Sequence, residues 1–80
     1  MTEPALEPAN SIIERFGGNM VVRSITGVSR TRVYRWTRPK SEGGTGGLIP
    51  TDHAITLLRY AKKHGVEVSA ADFLPIEEPA

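Results

Sequence analysis

Arg30, Arg32, Arg35, Arg38 and Lys40 are strung around Val33, Tyr34 and Trp36, directly after Gly27 and Ser29. A guanidinium carries a permanent charge and a rigid fork of N–H donors, so a cluster of arginines is suited to oxyanions and to acceptor atoms on planar rings. The net charge of +1 hides how localised these cations are. Residues 1–19 carry −2, residues 20–40 carry +6 with no acid among them, and residues 41–80 carry −3. A near-neutral chain with all its excess positive charge in one short segment has a polarised field, and a polyanion is the partner that field predicts.

Other chemistries find little support in the residue types. The chain has no Cys, which excludes a disulfide framework and any Cys-based zinc site. His53 and His64 lie eleven residues apart near opposite ends of one expected helix, so they cannot converge on a metal as i, i+4 ligands would. His53 reads as a surface residue and His64 as one that stabilises a helix dipole. No Ser/His/Asp set and no carboxylate pair shares a plausible site. The GGTGG run at 43–47 lacks the following Lys-Ser/Thr and the preceding strand of a phosphate-binding loop. No catalysis, metal, cofactor or small-molecule substrate is therefore expected. No apolar run approaches the roughly 18 residues that span a bilayer, and the acidic, Pro-containing start is unlike a signal peptide. The expectation is a soluble cytoplasmic protein without a membrane partner.

Eighty residues make one small domain, which at this size buries only about 60% of the surface its unfolded chain exposes. Residues 1–9, with two prolines, read as a frayed tail. Asn10 or Ser11 can cap a helix carrying Ile12, Ile13 and Phe16, which Gly17 and Gly18 stop. Asn19 is a second cap candidate, before Met20, Val21, Val22 and Ile25. Ser29 is a third, opening a helix over 29–38 that must end near Arg38 because Pro39 disfavours helical geometry in the residue before it. Residues 39–49 read as a flexible, Gly-rich loop. Pro50 and Thr51 then open the longest helix, over 51–64. Its apolar stripe is Ala54, Ile55, Leu57, Leu58 and Ala61, and Gly65 closes it. Ser69-Ala70-Ala71-Asp72 has the form of a capping box that folds Phe73 and Leu74 back onto the core. Residues 75–80 read as a tail. The expectation is an all-α domain over 10–74 with four to five short helices.

The two helices on either side of Gly27 position the arginines. Glycine tolerates the backbone a tight turn needs, Ile25 and Val28 can plug the turn from inside, and Val33 with Trp36 can hold the second helix down. The helical wheel then sends Arg30, Thr31, Tyr34, Arg35 and Arg38 outward. A helix-turn-helix uses this arrangement to place its second helix in a DNA major groove. Arg bonds bidentately to guanine O6 and N7, Thr bonds a base edge or touches a thymine methyl, and Tyr reaches phosphate. Ser29, at the helix start, can offer its hydroxyl and nearby amides to a phosphate oxygen.

On these residues the run from Asn19 to Arg38 resembles the helix-turn-helix of the lambda Cro and repressor superfamily. More narrowly, residues 11–74 are similar to small Cro-like or YdaS-like phage and prophage regulators. Gly27, Val28, Val33 and Trp36 match the turn glycine, the apolar residue after it and the anchors of the second helix. IIERFGG at 12–18 resembles the opening helix of such proteins. The order of a Trp-ended recognition helix, a loop, an Ile-Pro pair and a further helix is similar as well. One position departs. Arg23 stands where the family carries alanine at the close approach of the two helices, so either its stem snorkels outward or the register shifts by one.

The resemblance implies a bacterial, Cro/C1-type transcription regulator that binds double-stranded DNA, nucleoid-associated when bound. The expected base-reading residues are Arg30, Thr31, Tyr34 and Arg35, with Ser29, Arg32, Arg38 and Lys40 on phosphate. Trp36, three residues after a buried valine, is expected in the core rather than stacked on bases. A different class of reading keeps the fold and gives its basic helix to an acidic protein, as in an antitoxin or a phage assembly adaptor. A lone domain reads few base pairs, so a homodimer through 51–74 or an accessory protein is expected to extend the site.

Overall fold

Apolar spacing decides which face of each helix turns inward, and the four α-helices found among the described residues follow it closely. The computed structural model describes residues 5–74. α1 (Ala9–Phe16) buries Ala9, Ile12, Ile13 and Phe16. α2 (Asn19–Thr26) buries Val22, with Val21 and Ile25 half-buried beside it. α3 (Arg30–Trp36) buries Val33 and Trp36. α4 (Thr51–His64) buries Ala54, Leu57 and Ala61 at alternating three- and four-residue spacing. Ile12, Leu57, Val22 and Val33 are the largest fully buried side chains, each contributing about 1.5–3 kcal/mol by its burial. No strand occurs among the described residues, and no helix among them is long and apolar enough to cross a membrane.

α2 is the hub. It packs on α1, α3 and α4, while a short 3-10 turn at Ala70–Phe73 closes over α1 and α4. That turn carries the expected capping box: Asp72 accepts from the Ser69 amide at 2.9 Å, and its carboxylate also takes a 2.9 Å bond from Arg15 of α1. Phe73 is buried as expected, but Leu74 is 64% exposed, because the chain leaves the turn in extended geometry and carries the side chain outward.

Two helix starts differ from expectation. α1 begins at Ala9, ahead of Asn10 and Ser11. Glu7 does the capping instead, its carboxylate oxygens accepting from the Ser11 amide and the Ser11 hydroxyl at 2.7 Å each. Asn19 is the first residue of α2 rather than its cap, a position held by Gly18. α4 matches its expected bounds, yet Ile55 is 44% exposed, because the buried stripe is narrower than the sequence implies.

Two segments expected to be loose are tied down. Within the 1–9 tail, the Leu6 amide donates to the Thr37 carbonyl at 2.9 Å and the Ala9 amide to the Gly47 carbonyl at 3.0 Å. Residues 1–4 and the expected tail at 75–80 lie outside the described residues. The 39–49 segment, expected as a flexible loop, hydrogen-bonds to the end of α3. A 3-10 turn at Lys40–Glu42 starts it, Thr45 N–H donates to the Arg35 carbonyl at 3.0 Å, and Gly46 N–H donates to the Arg38 carbonyl at 2.9 Å. The Thr45 hydroxyl also bonds the Trp36 and Leu48 carbonyls. Helix ends leave carbonyls without intrahelical partners, and here the glycine-rich segment supplies them. Gly44 must be glycine for this contact, since a Cβ there would overlap the Arg38 and Arg35 carbonyl oxygens.

Candidate functional site

The connection between α2 and α3 spans residues 27–29. Gly27 takes a positive φ of 75°, and its amide closes α2 on the Arg23 carbonyl at 2.8 Å. That left-handed backbone costs most residues about 1–2 kcal/mol and glycine almost nothing. Thr26 reinforces the end by donating its hydroxyl to the Val22 carbonyl at 2.8 Å. Ile25 and Val28 sit half-buried against the core, plugging the bend from beneath. Ser29 then caps α3 by accepting from the Arg32 amide at 3.3 Å.

With Val33 at 0% and Trp36 at 3% exposure anchoring the inner face of α3, the opposite face is forced outward. Arg30, Thr31, Tyr34 and Arg35 are all exposed, as are Ser29 and Arg32 before and beside them. The four expected base-reading side chains thus share the solvent side of one seven-residue helix. Lys40 is exposed in the following 3-10 turn.

Arg38 stands apart from this group. α3 ends at Trp36, two residues before the expected limit, because Thr37 caps it with both its amide and its hydroxyl turned back to the Tyr34 carbonyl. Arg38 therefore leaves the helix. Its side chain is only 14% exposed, and one guanidinium nitrogen lies 3.0 Å from each carboxylate oxygen of Glu42. The same guanidinium lies over the Tyr34 ring, 5.8 Å from its centroid. Expected as a phosphate contact, Arg38 is in the free protein a partner of Glu42 and Tyr34.

Two further groups border the face, one of them missed by sequence reasoning and the other singled out by it without a role. Glu42 neutralises Arg38 from four residues away, a spacing visible in the sequence but obscured by the intervening Pro39. Arg23 is the second. It is half-buried, and with Asn19 and Met20 of α2 and Arg30, Thr31 and Tyr34 of α3 it lines an open cleft of about 800 Å³. Its Nε is buried without a hydrogen-bond partner among the described residues. Of the two outcomes expected for Arg23, a stem snorkelling outward or a shifted register, the structure shows a half-buried side chain lining the cleft between the two helices.

The histidines lie elsewhere. His53, expected at the surface, is half-buried with its ring 5.5 Å from that of Trp36. His64 stacks on Tyr60 at 4.1 Å in the last turn of α4. No protein-family model matches the chain, and no curated protein or solved structure does either.

Proposed function

We propose that the chain is a sequence-specific, double-stranded DNA-binding regulator that presents α3 to the major groove, with α2, the 27–29 turn and α3 acting as a helix-turn-helix. The observation that carries this reading is the division of α3 into two faces. Val33 and Trp36 are buried, and Arg30, Thr31, Tyr34 and Arg35 are all exposed with no acid between residues 20 and 41. One α-helix fits a major groove about 12 Å wide, and an exposed face of hydrogen-bonding side chains on a firmly held helix is what base reading requires. Arg30 and Arg35 are assigned to guanine edges, Thr31 and Tyr34 to neighbouring base or sugar contacts. Ser29, Arg32 and Lys40 are assigned to phosphates. Arg38 is assigned to a phosphate that displaces the Glu42 carboxylate from its guanidinium.

The resemblance to Cro-like and YdaS-like regulators supports the same reading, including a phage or prophage setting and a bacterial cytoplasm. A homodimer or accessory protein would extend the site; the exposed Ile55 of α4 and Leu74 beyond it are apolar groups available for such a contact. The alternative, an antitoxin or assembly adaptor acting through protein contacts, is favoured by Met20, which stands 77% exposed beside the basic face. Selection of bound duplexes from a random pool separates the two. A regulator enriches one sequence, whereas an adaptor enriches none.

A further inference from the structure

The cleft between α2 and α3 sets Asn19, Met20 and Arg23, which the base-reading assignment leaves unused, beside Arg30, Thr31 and Tyr34. Two short helices meeting at a tight turn ordinarily leave room for a small side chain, yet Arg23 occupies the gap. Its Nε is buried without a hydrogen-bond partner among the described residues, while the residue as a whole is half-buried. A buried donor left unsatisfied carries the desolvation cost of that group, and an oxyanion seated in the cleft would offset it. Arg30 lines the same cleft from α3 and brings a second fixed charge. Neither arginine has an ion-pair partner among the described residues, and no described carboxylate lines the cleft. The Asn19 amide and the Thr31 and Tyr34 hydroxyls add neutral donors around it.

We propose that this cleft is a phosphate site in which Arg23 holds the anion and Asn19 adds a hydrogen bond, beside the base-reading Arg30, Thr31 and Tyr34. The inference rests on the DNA reading for its physiological ligand, a single backbone phosphodiester beside the groove that α3 enters. Several donors of different reach suit the clustered oxygens of a phosphate better than a flat carboxylate. The cleft is open to solvent, as a ligand carried on a polymer strand requires, and Met20, exposed among its lining residues, offers an apolar surface to the adjoining sugar. Arg23 is thus a positioning residue for α3. It grips backbone, carries no sequence information, and fixes the depth and register at which Arg35 meets a base.

The test compares wild type, Arg23→Met and Arg23→Lys, each first shown to be folded by circular dichroism. Methionine keeps the packed stem without the charge, and lysine keeps the charge. Each phosphate contact contributes about −0.9 to the slope of log affinity against log salt, so losing one removes about 3.5-fold of the affinity drop between 50 and 200 mM salt. Where wild type binds duplex, Arg23→Met is expected to show that shallower slope on every sequence alike, with base preference unchanged and Arg23→Lys restoring the slope. A wild-type slope in Arg23→Met overturns the cleft and leaves the DNA reading standing. Where wild type binds no duplex, the DNA reading fails, and titration with inorganic phosphate decides the cleft alone. Saturating shifts of the Arg23 Nε–H and Asn19 side-chain amide resonances, with the Asn19 shift absent from Arg23→Met, support it; no shift overturns it.

Discussion

Trp36→Ala should cost the domain much of its stability, and the structure sets the size of the loss. The side chain is 3% exposed, packs its ring 5.5 Å from that of His53, and anchors the inner face of α3 beside Val33. Truncating a buried Phe or Trp to Ala removes about 3–5 kcal/mol, because the surroundings collapse only partly into the cavity. At about 0.05–0.15 kcal/mol per residue, a domain of this length has about 4–12 kcal/mol in all. The loss is therefore between a quarter of the total and all of it. The assay is urea denaturation followed by far-ultraviolet circular dichroism, since Trp36 is the only tryptophan and its own fluorescence is removed. With a slope near 1 kcal/mol per molar urea for a small domain, the midpoint should fall by about 3 M or more. Trp36→Phe should lose less. A Trp36→Ala midpoint within about 0.5 M of wild type would refute the placement of this ring in the core, and with it the orientation of α3.

Arg30→Ala and Arg35→Ala should each weaken the preferred duplex by about 1–3 kcal/mol and relax base preference, whereas Lys40→Ala should weaken all duplexes alike and flatten the salt slope; competition binding against scrambled duplexes separates the patterns. Gly44→Ala should loosen the hold of residues 39–49 on α3, because its Cβ overlaps the Arg38 and Arg35 carbonyl oxygens, and hydrogen exchange should show the Thr45 and Gly46 amides losing protection. Asp72 is held below its ordinary carboxylate value of 3.8 by the Ser69 amide and, further, by the Arg15 guanidinium. A depressed folded-state value means its contribution is present above the unfolded value and is lost as pH falls through the folded one. Asp72→Asn should therefore melt below wild type at neutral pH, with the gap closing on acidification below about pH 4.

What could be read from the sequence was local. The Ser29 cap, the Ser69–Asp72 box, the ends of α4 and the buried pair Val33 and Trp36 all follow from residues within one or two turns of each other. What could not be read depends on distant partners. The order of residues 39–49 comes from the unfilled carbonyls at the end of α3, not from the glycines themselves, whose composition alone reads as flexibility. Ile55 and Leu74 are apolar and were assigned inward, but the core that would receive them is already filled by Leu57, Ala61 and Phe73. Glu7 caps α1 from outside the expected helix by the reach of its side chain. At the candidate site, the outward face of α3 was legible from its wheel, whereas the Arg38–Glu42 pair and the place of Arg23 between two helices required the fold.

The central claim is that α3 carries its exposed cations to duplex DNA. Equilibrium binding to duplexes from a random-pool selection, measured from 50 to 200 mM salt, tests it most directly. The account predicts one preferred sequence and an affinity that falls steeply with salt, by about 0.9 in log slope for each phosphate held. Failure to bind any duplex at 50 mM salt, or binding indifferent to both salt and sequence, would contradict it.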